Sequence, residues 1–504
     1  LAILFFGIIS LENWKAEQGT QDAQEGKYPL KKNHPRLQDP RADLDLERLN
    51  EYALLESKGY GTRRLVTPPS YAKPLSEIPW MGFPTVNWLI VGLDYRVRYE
   101  FRENDFRRPD PGIDQPFLLR TRGFFAIQEI LDPLRFTLEV EDAQKIQSRY
   151  PSDDREENRA EPIQGYLELY KKKVGFLDNK PISLRAGRMA FELLDRRLVA
   201  LNEWRNTTNN FQGARLLIGD DSRNWNLDFF SLQPIRREIL KPDIAEEKMF
   251  FSGGVGTYKF LDLAFVIQAY SFLFQQSELK EAWDQAKDPL DPTILRVGRR
   301  FQTTGLRVFG QIGKSGFDYD LTRTAQRGLS DMNQGIHIDA HAFTFDLGYS
   351  WNWSHWKPRI GGLYGIASGN TVDDPNVQRR FDRLYGFARP WSMHDYITYE
   401  NIRTGKFVFE FSPTKDTRID TGFTRFWLAS PFDRWERAVL QDTKGISGTH
   451  IGDEFNIRWI TKISPRFLLN IGYAYFLPGE FTISQTGRNQ VSNFYYIEFS
   501  SILI

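Results

Sequence analysis

The segment 91-VGLDYRVRYEFR-102 decides how this chain is read. In an extended strand successive side chains point to opposite faces. Val91, Leu93, Tyr95, Val97, Tyr99 and Phe101 therefore form an apolar row, and Asp94, Arg96, Arg98, Glu100 and Arg102 a charged one. A soluble sheet shows the same alternation with oil inside and charge outside, so length has to separate the cases. Twelve residues at about 3.3 Å each reach roughly 40 Å, and a tilt near 45° projects that onto about 28 Å, close to a bilayer's hydrocarbon thickness. Soluble strands usually stop at about five or six residues. The apolar row thus belongs against lipid, and the charged row in a wet lumen.

The same pattern continues to the C-terminus. Period-two segments lie near 86–102, 116–131, 133–145, 161–175, 181–190, 205–218, 223–235, 248–260, 262–275, 293–312, 315–327, 334–351, 357–368, 397–411, 416–428, 448–463, 466–477 and 491–504. Tight turns such as Leu131-Asp132-Pro133, Asp178-Asn179-Lys180 and Ser412-Pro413-Thr414 alternate with long polar connections, among them 103–115, 145–160, 190–204, 369–396 and 429–447; only 328–333 is short in that second set. About eighteen long strands, with turns on one side and loops on the other, predict an all-β, transmembrane antiparallel β-barrel of the bacterial outer membrane over 86–504. At that strand number the barrel leaves an aqueous lumen. The terminal strand 494-FYYIEFSSILI-504 ends on Ile504, where such barrels commonly end on an aromatic residue.

Residues 12–85 are polar and rich in Pro, Gly and charge, and are expected to form a periplasmic extension or plug. The run 1-LAILFFGII-9 is too short for a membrane helix and fits the apolar stretch of a secretory signal, so 1–11 is expected to be a signal remnant. Lys+Arg 66 against Asp+Glu 65 leaves no whole-chain field to attract nucleic acid. Cys 0 excludes disulfides and thiolate chemistry.

Function must then come from local charge. Arg96, Arg98, Arg102, Arg120, Arg122, Arg188, Arg197, Arg215 and Arg307 recur at positions compatible with the lumen, and Asp94, Glu100, Glu139, Glu141 and Glu168 intervene. Guanidinium stays charged and offers a planar fork to carboxylates, so as a set these arginines predict a pore lining that favours anions. The competing expectation is a ladder of cross-strand ion pairs that stiffens the wall and selects nothing. In 337-HIDAH-341 the two histidines stand about 13 Å apart along a strand, too far to share a metal ion, and a hydrated lumen face is expected for them. The acidic cluster 153-DDREE-157 lacks the spacing and glycine of a calcium loop and reads as a solvated loop tip. No G-x-S-x-G, H-E-x-x-H or phosphate-cradling loop occurs, so no enzyme, cofactor or metal is expected.

Several strings resemble the alginate-export outer-membrane porins. In 186-AGRMAFELLDRRLVALNEWRNTTNNFQGARL-216, Gly187, Arg188, Arg197, Leu198, Val199, Trp204, Asn206, Phe211, Gly213, Ala214 and Arg215 match that family's pattern. Met189 replaces its Gln, Leu194 its Gly and Glu203 its Asp. The strings 363-LYGIASGN-370, with Asn370 in place of an acid, 381-FDRLYG-386, 118-LLRTRGFF-125, 452-GDEFNIRW-459 and 472-GYAYFLPGEF-481 are similar to further family motifs in the same order. The resemblance implies an eighteen-stranded barrel with an arginine-lined constriction for a polyuronate or another anionic solute. The partners it implies are outer-membrane lipid, an anionic polysaccharide or small anion, and periplasmic or outer-membrane proteins. A structural or partner-binding barrel plugged by its N-terminal segment, and an uptake porin for small organic acids, are the alternatives.

Overall fold

The computed structural model describes residues 68–503, apart from 109–111, 178, 220–223, 240, 261–263, 279–296, 314, 352–353 and 388. The expected signal remnant, most of the N-terminal extension and Ile504 lie outside the described residues.

Eighteen long strands build the wall: β1 (Leu89–Glu103), β2 (Phe117–Ile127), β3 (Leu134–Ile146), β4 (Asn158–Val174), β5 (Lys180–Met189), β6 (Phe211–Ile218), β7 (Trp225–Arg236), β8 (Met249–Phe260), β9 (Phe265–Gln276), β10 (Arg299–Gln311), β11 (Phe317–Asp331), β12 (Ile336–Ser350), β13 (Arg359–Ala367), β14 (Ile402–Thr414), β15 (Thr417–Trp427), β16 (His450–Ser464), β17 (Phe467–Pro478) and β18 (Ser492–Ile502). Each pairs antiparallel with its sequence neighbours. β1 also pairs with β18 from Asp94↔Ile502 to Glu103↔Asn493, which closes the sheet and leaves no edge between the first and last strands. Short connections join β2 to β3, β4 to β5 and so on to β16–β17, all at one end. The long ones gather at the other end, where only β11–β12 is tight. In this architecture the short turns face the periplasm and the long loops the exterior.

The two rows of β1 face as the alternation requires. Arg96, Arg98 and Glu100 are 2–3% exposed on the inner face, while Val91, Val97, Tyr99 and Phe101 stay half-exposed on the outer one. Around the wall, Leu167, Leu169, Phe229, Phe345, Phe407, Phe423, Ile457 and Trp459 form an outward apolar band. Near the exterior end of β1, β17 and β18, Phe101 stacks on Tyr495 at 4.6 Å beside Tyr99, Tyr473 and Tyr475, an aromatic girdle.

The lumen is not empty. The connection 190–210 and the 381–401 part of the connection after β13, expected to be outside, turn into the barrel and are largely buried there, while 370–380 stays at the surface. They are stitched together by a parallel bridge between Val199 and Tyr385, with Ala200 N donating to Tyr385 O (3.1 Å) and Tyr385 N to Leu198 O (3.0 Å). Leu193, Leu198, Val199, Phe381, Trp391 and Tyr396 then pack with wall residues Phe211, Phe230, Phe251 and Phe272 into one apolar core inside the barrel. Polar loops can be buried here because the inner wall supplies the hydrogen-bond partners that water gives a surface loop. For the same reason the strand expected over 205–218 begins only at Phe211, since 205–210 belongs to the inner loop.

At the periplasmic end, Ala72–Pro74 pairs with Ile90–Gly92 of β1. A Cβ at Gly92 would stand 2.7 Å from the Ala72 Cα, so only glycine lets this segment cross the inner wall. Tyr71 is buried there and donates from its hydroxyl to Glu139 of β3 at 2.6 Å.

Candidate functional site

Four of the expected pore arginines hold the first inner loop, 190–210. Arg96 donates to the backbone oxygens of Glu203 and Arg205, both at 2.8 Å, and to Asn206 Oδ1 at 3.1 Å. Arg98 donates to Trp204 O at 2.7 Å and to Glu498 of β18 at 3.1 Å. Arg120 and Arg122 grip the two carboxylate oxygens of Glu203, the latter at 2.9 Å. Arg122 also donates to Glu141 at 2.8 Å, and Glu141 accepts the backbone N–H and hydroxyl of Thr208 at 3.0 and 2.6 Å. Asn206 Nδ2 approaches the carbonyls of Leu119, Gln144 and Glu156, each at 3.0 Å. Burial alone would raise the Glu203 carboxyl, but Arg120, Arg122 and Arg96 outweigh it and hold it at about 2. The motif residues Trp204 and Asn206 are thus the teeth of a clamp that seats this loop against β1, β2 and β3. Leu194, where the resembled family has Gly, takes a left-handed backbone at φ 53.

The second inner loop, 381–401, hangs on Glu454 of β16, which accepts from Ser392 Oγ (2.6 Å), Met393 N (2.7 Å) and His394 Nδ1 (2.9 Å). The two loops share one aromatic joint. Trp204 lies between the guanidiniums of Arg98 and Arg389, whose Cζ atoms stand 3.9 and 3.5 Å from the ring centroid. Two cations that close to one ring occupy its two faces.

Most other expected residues form wall ladders, while Arg197 sits on the inner loop itself. Arg102 bonds Glu100 (2.7 Å) and Glu156 (3.1 Å). Arg215 meets Asp228 with both forks (3.0 and 2.6 Å), Arg307 meets Asp320 likewise, and Arg197 reaches Asp195 and Asp346. Asp94 sits opposite Arg122 in register, and Glu139 is taken by Tyr71 and Gln164. Arg188 does not join this set. It lies three residues from the inward Arg185, hence on the opposite face with Gln212, and donates to Pro162 O and Asp243 O under the β7–β8 connection. His337 and His341 also face outward: both are exposed, whereas Ile338, Ala340 and Ala342 are buried.

Above the inner loops lies an arginine cluster that strand alternation could not reveal, because every member sits on a connection. Arg107, Arg155, Arg205, Arg383 and Arg437 come from five different connections and surround, directly or through one another, the single carboxylate of Asp395. Arg437 donates to Asp395 O at 3.0 Å and to its carboxylate, and Arg107 stands 3.6 Å from that carboxylate. Arg107 and Arg155 carry their own acids, Asp105 and Asp153. Arg205 Nη2 and Arg383 Nη1 are buried without a hydrogen-bond partner, and the nearest carboxylate to Arg383, Glu400, is 4.0 Å away. Burial and the neighbouring guanidiniums of Arg437, Arg155 and Arg383, opposed by Asp395, drag the Arg205 affinity for its proton well down. A guanidinium keeps its proton all the same, so the cluster presents unanswered positive charge. The signal in the sequence was arginine density inside the loops, as in 203-EWR-205, 379-RRFDR-383 and 434-RWER-437.

Residues 87–495 match the sequence profile described as alginate export. The chain belongs to the alginate export family. No curated protein matches it, but solved outer-membrane barrels share its fold. OccAB1 of Acinetobacter baumannii is 8% identical at a TM-score of 0.54, covering 82% of this chain and 97% of its own. OpdQ of Pseudomonas aeruginosa is 11% identical at 0.53, covering 82% and 98%. OccD3 (OpdP) of the same organism is 11% identical at 0.52, covering 91% and 99%. Family and architecture place this alginate-export barrel in the bacterial outer membrane and among channel proteins.

Proposed function

We propose that this barrel passes anionic solutes down their gradient, with an alginate-like polyuronate as the leading solute and small organic acids as its narrower counterpart. The observation that carries the reading is the Arg205–Arg383 cluster, where two buried guanidinium nitrogens lack partners at the exterior side of the inner loops. A carboxylate-bearing chain would meet those forks in the geometry they recognise best. The paired arginines Arg102, Arg215 and Arg307 of the wall and Arg197 of the inner loop give the interior alternating sign, along which an anion would exchange partners without being trapped. Arg96, Arg98, Arg120 and Arg122 contribute by holding the inner loop that shapes the passage. The chain carries no nucleotide-binding motif, so flux is set by concentration or by an upstream synthesis machine.

Planar-bilayer recording under a salt gradient tests this. The expected result is a zero-current potential of anion-selective sign and current block by oligouronate; cation preference, or no conductance, overturns it. The second reading, a structural barrel closed from within, is favoured by the capture of four wall arginines by one loop. Excising 192–209 separates the two: a silent barrel that becomes conductive supports closure, and a change in selectivity of an already open one supports the channel.

A further inference from the structure

The outer face of the barrel is unequal around its exterior rim. Over β1, β17 and β18 it is aromatic, but over β10–β16 it is basic. Arg300, Arg323, Arg327, Arg403 and Arg425 all point outward and are exposed, together with His337 and His341. Register makes them neighbours: Arg327 stands opposite Gln302 and Asp339, Leu329 opposite Arg300 and His337, and Gly405 opposite Arg425. Two acids answer them. Arg327 pairs with Asp339 and Arg425 with Asp453, whereas Arg300, Arg323 and Arg403 meet no carboxylate among the described residues. Toward the periplasm the same strands turn apolar, with Leu321, Phe345, Phe407, Phe423 and Phe455. The short strand Val377–Gln378 adds in parallel beside His337–Ile338 beyond the end of β13. Next to it, Arg327, Leu329, His337, Asp339, Val377 and Arg379 line an open groove of about 620 Å³.

Charge on a lipid-facing wall is tolerated only where headgroups begin, and it is favourable only where those headgroups carry the opposite sign. We infer that the β10–β15 exterior wall is a docking surface for a phosphate-bearing glycolipid of the outer leaflet. Its phosphates lie on Arg300, Arg323, Arg327, Arg379 and Arg403, and its acyl chains on the apolar band below. The groove offers both chemistries side by side, cations from Arg327 and Arg379, which there hold Asp339 and Asp373 until a phosphate displaces them, and an apolar contact from Leu329 and Val377. A second copy of the chain fits poorly, because a two-fold contact would set these arginines against themselves. The surface is on the outside of the wall and is independent of what the lumen carries.

The test uses the whole chain in detergent. Native mass spectrometry would titrate a bis-phosphorylated glycolipid, the same lipid without phosphates, and inorganic phosphate, with and without R300Q/R323Q/R403Q. The expected result is retention of the phosphorylated lipid, at least tenfold weaker binding in the variant and for the dephosphorylated lipid, no competition by millimolar inorganic phosphate, and unchanged conductance. Equal binding of both lipids, equal binding by the variant, or displacement by phosphate alone would overturn the assignment. So would an oligomer of the wild type that the variant breaks apart, since the surface would then belong to another copy. Should the variant fail to insert, the two-lipid comparison on the wild type still decides.

Discussion

Replacing Glu203 by Gln isolates the electrostatic share of the clamp, because the amide keeps the shape and one acceptor oxygen while removing the charge. In the folded barrel Arg120, Arg122 and Arg96 hold this carboxyl at about 2 against an ordinary 4.5. That difference is worth about 3 kcal/mol to the seated loop. Stranding Arg120, 3% exposed, without its carboxylate while Arg122 keeps only the Glu141 carboxylate costs a comparable amount, on the order of 3–5 kcal/mol. The released fraction of the 190–210 loop should therefore rise about a hundredfold. A folded-state value below the free one means that the stabilisation is full above about pH 4.5 and disappears as pH falls through about 2, so strong acid should mimic the substitution in the wild type. Single-channel recording would show new large-conductance openings in E203Q at neutral pH, and a thiol placed at Thr207, 1% exposed, would become reactive. If E203Q matched the wild type in both readouts, and acid below pH 4 changed neither, the view of Glu203 as the keystone of the clamp would be refuted.

Trp204→Ala removes the ring held between Arg98 and Arg389 and should cost about 3–5 kcal/mol by cavity and lost cation contacts, loosening both inner loops at once; limited proteolysis within 190–210 and 381–401 checks it. R205Q/R383Q should bring the anion-to-cation permeability ratio toward unity without lowering the unfolding temperature, since neither side chain gives up a hydrogen bond from its unpartnered nitrogen. Glu400 is raised to about 7 by burial and by Glu436 and Asp382, against the pull of Arg383. It is therefore neutral below that pH and charged above it, so anion selectivity should rise as pH falls from 8 to 6, and E400Q should abolish the dependence. Tyr71→Phe leaves Glu139 without its 2.6 Å donor and should release the 68–74 segment from the inner wall at a cost of about 1–3 kcal/mol, read by protease access from the periplasmic side.

The wall was legible in the sequence because lipid on one side and water on the other impose the simplest periodicity a chain can carry. Asp94 through Arg102 needed only that rule, and so did the closing strand. The inner loops were not legible, because a connection between strands reads as a surface loop; the contrary signal was the apolar content of 190–204, with Phe191, Leu193, Leu194, Leu198 and Val199, which exceeds what a loop in water would carry. Residues 205–210 read as strand because alternation has no means of recognising a loop that hydrogen-bonds to the wall through Asn206. Arg188 was placed on the wrong face for a simpler reason. In 185-RAGR-188 two arginines three apart cannot share a side of a strand, and only Arg185 reaches the lumen partner Glu168. The Trp204 and Asn206 motif was visible, but its task was not: it marks where a loop grips the wall, and the unanswered charge lies one residue away at Arg205.

Arg98 joins three things at once: its own strand β1, Glu498 on β18, and the backbone of Trp204. The first and last strands of the cylinder are thus sewn together by a side chain that is also occupied by the loop inside. The backbone ladder of the seam is reinforced by a guanidinium whose other bond holds the loop, so loosening the loop should be felt at the seam.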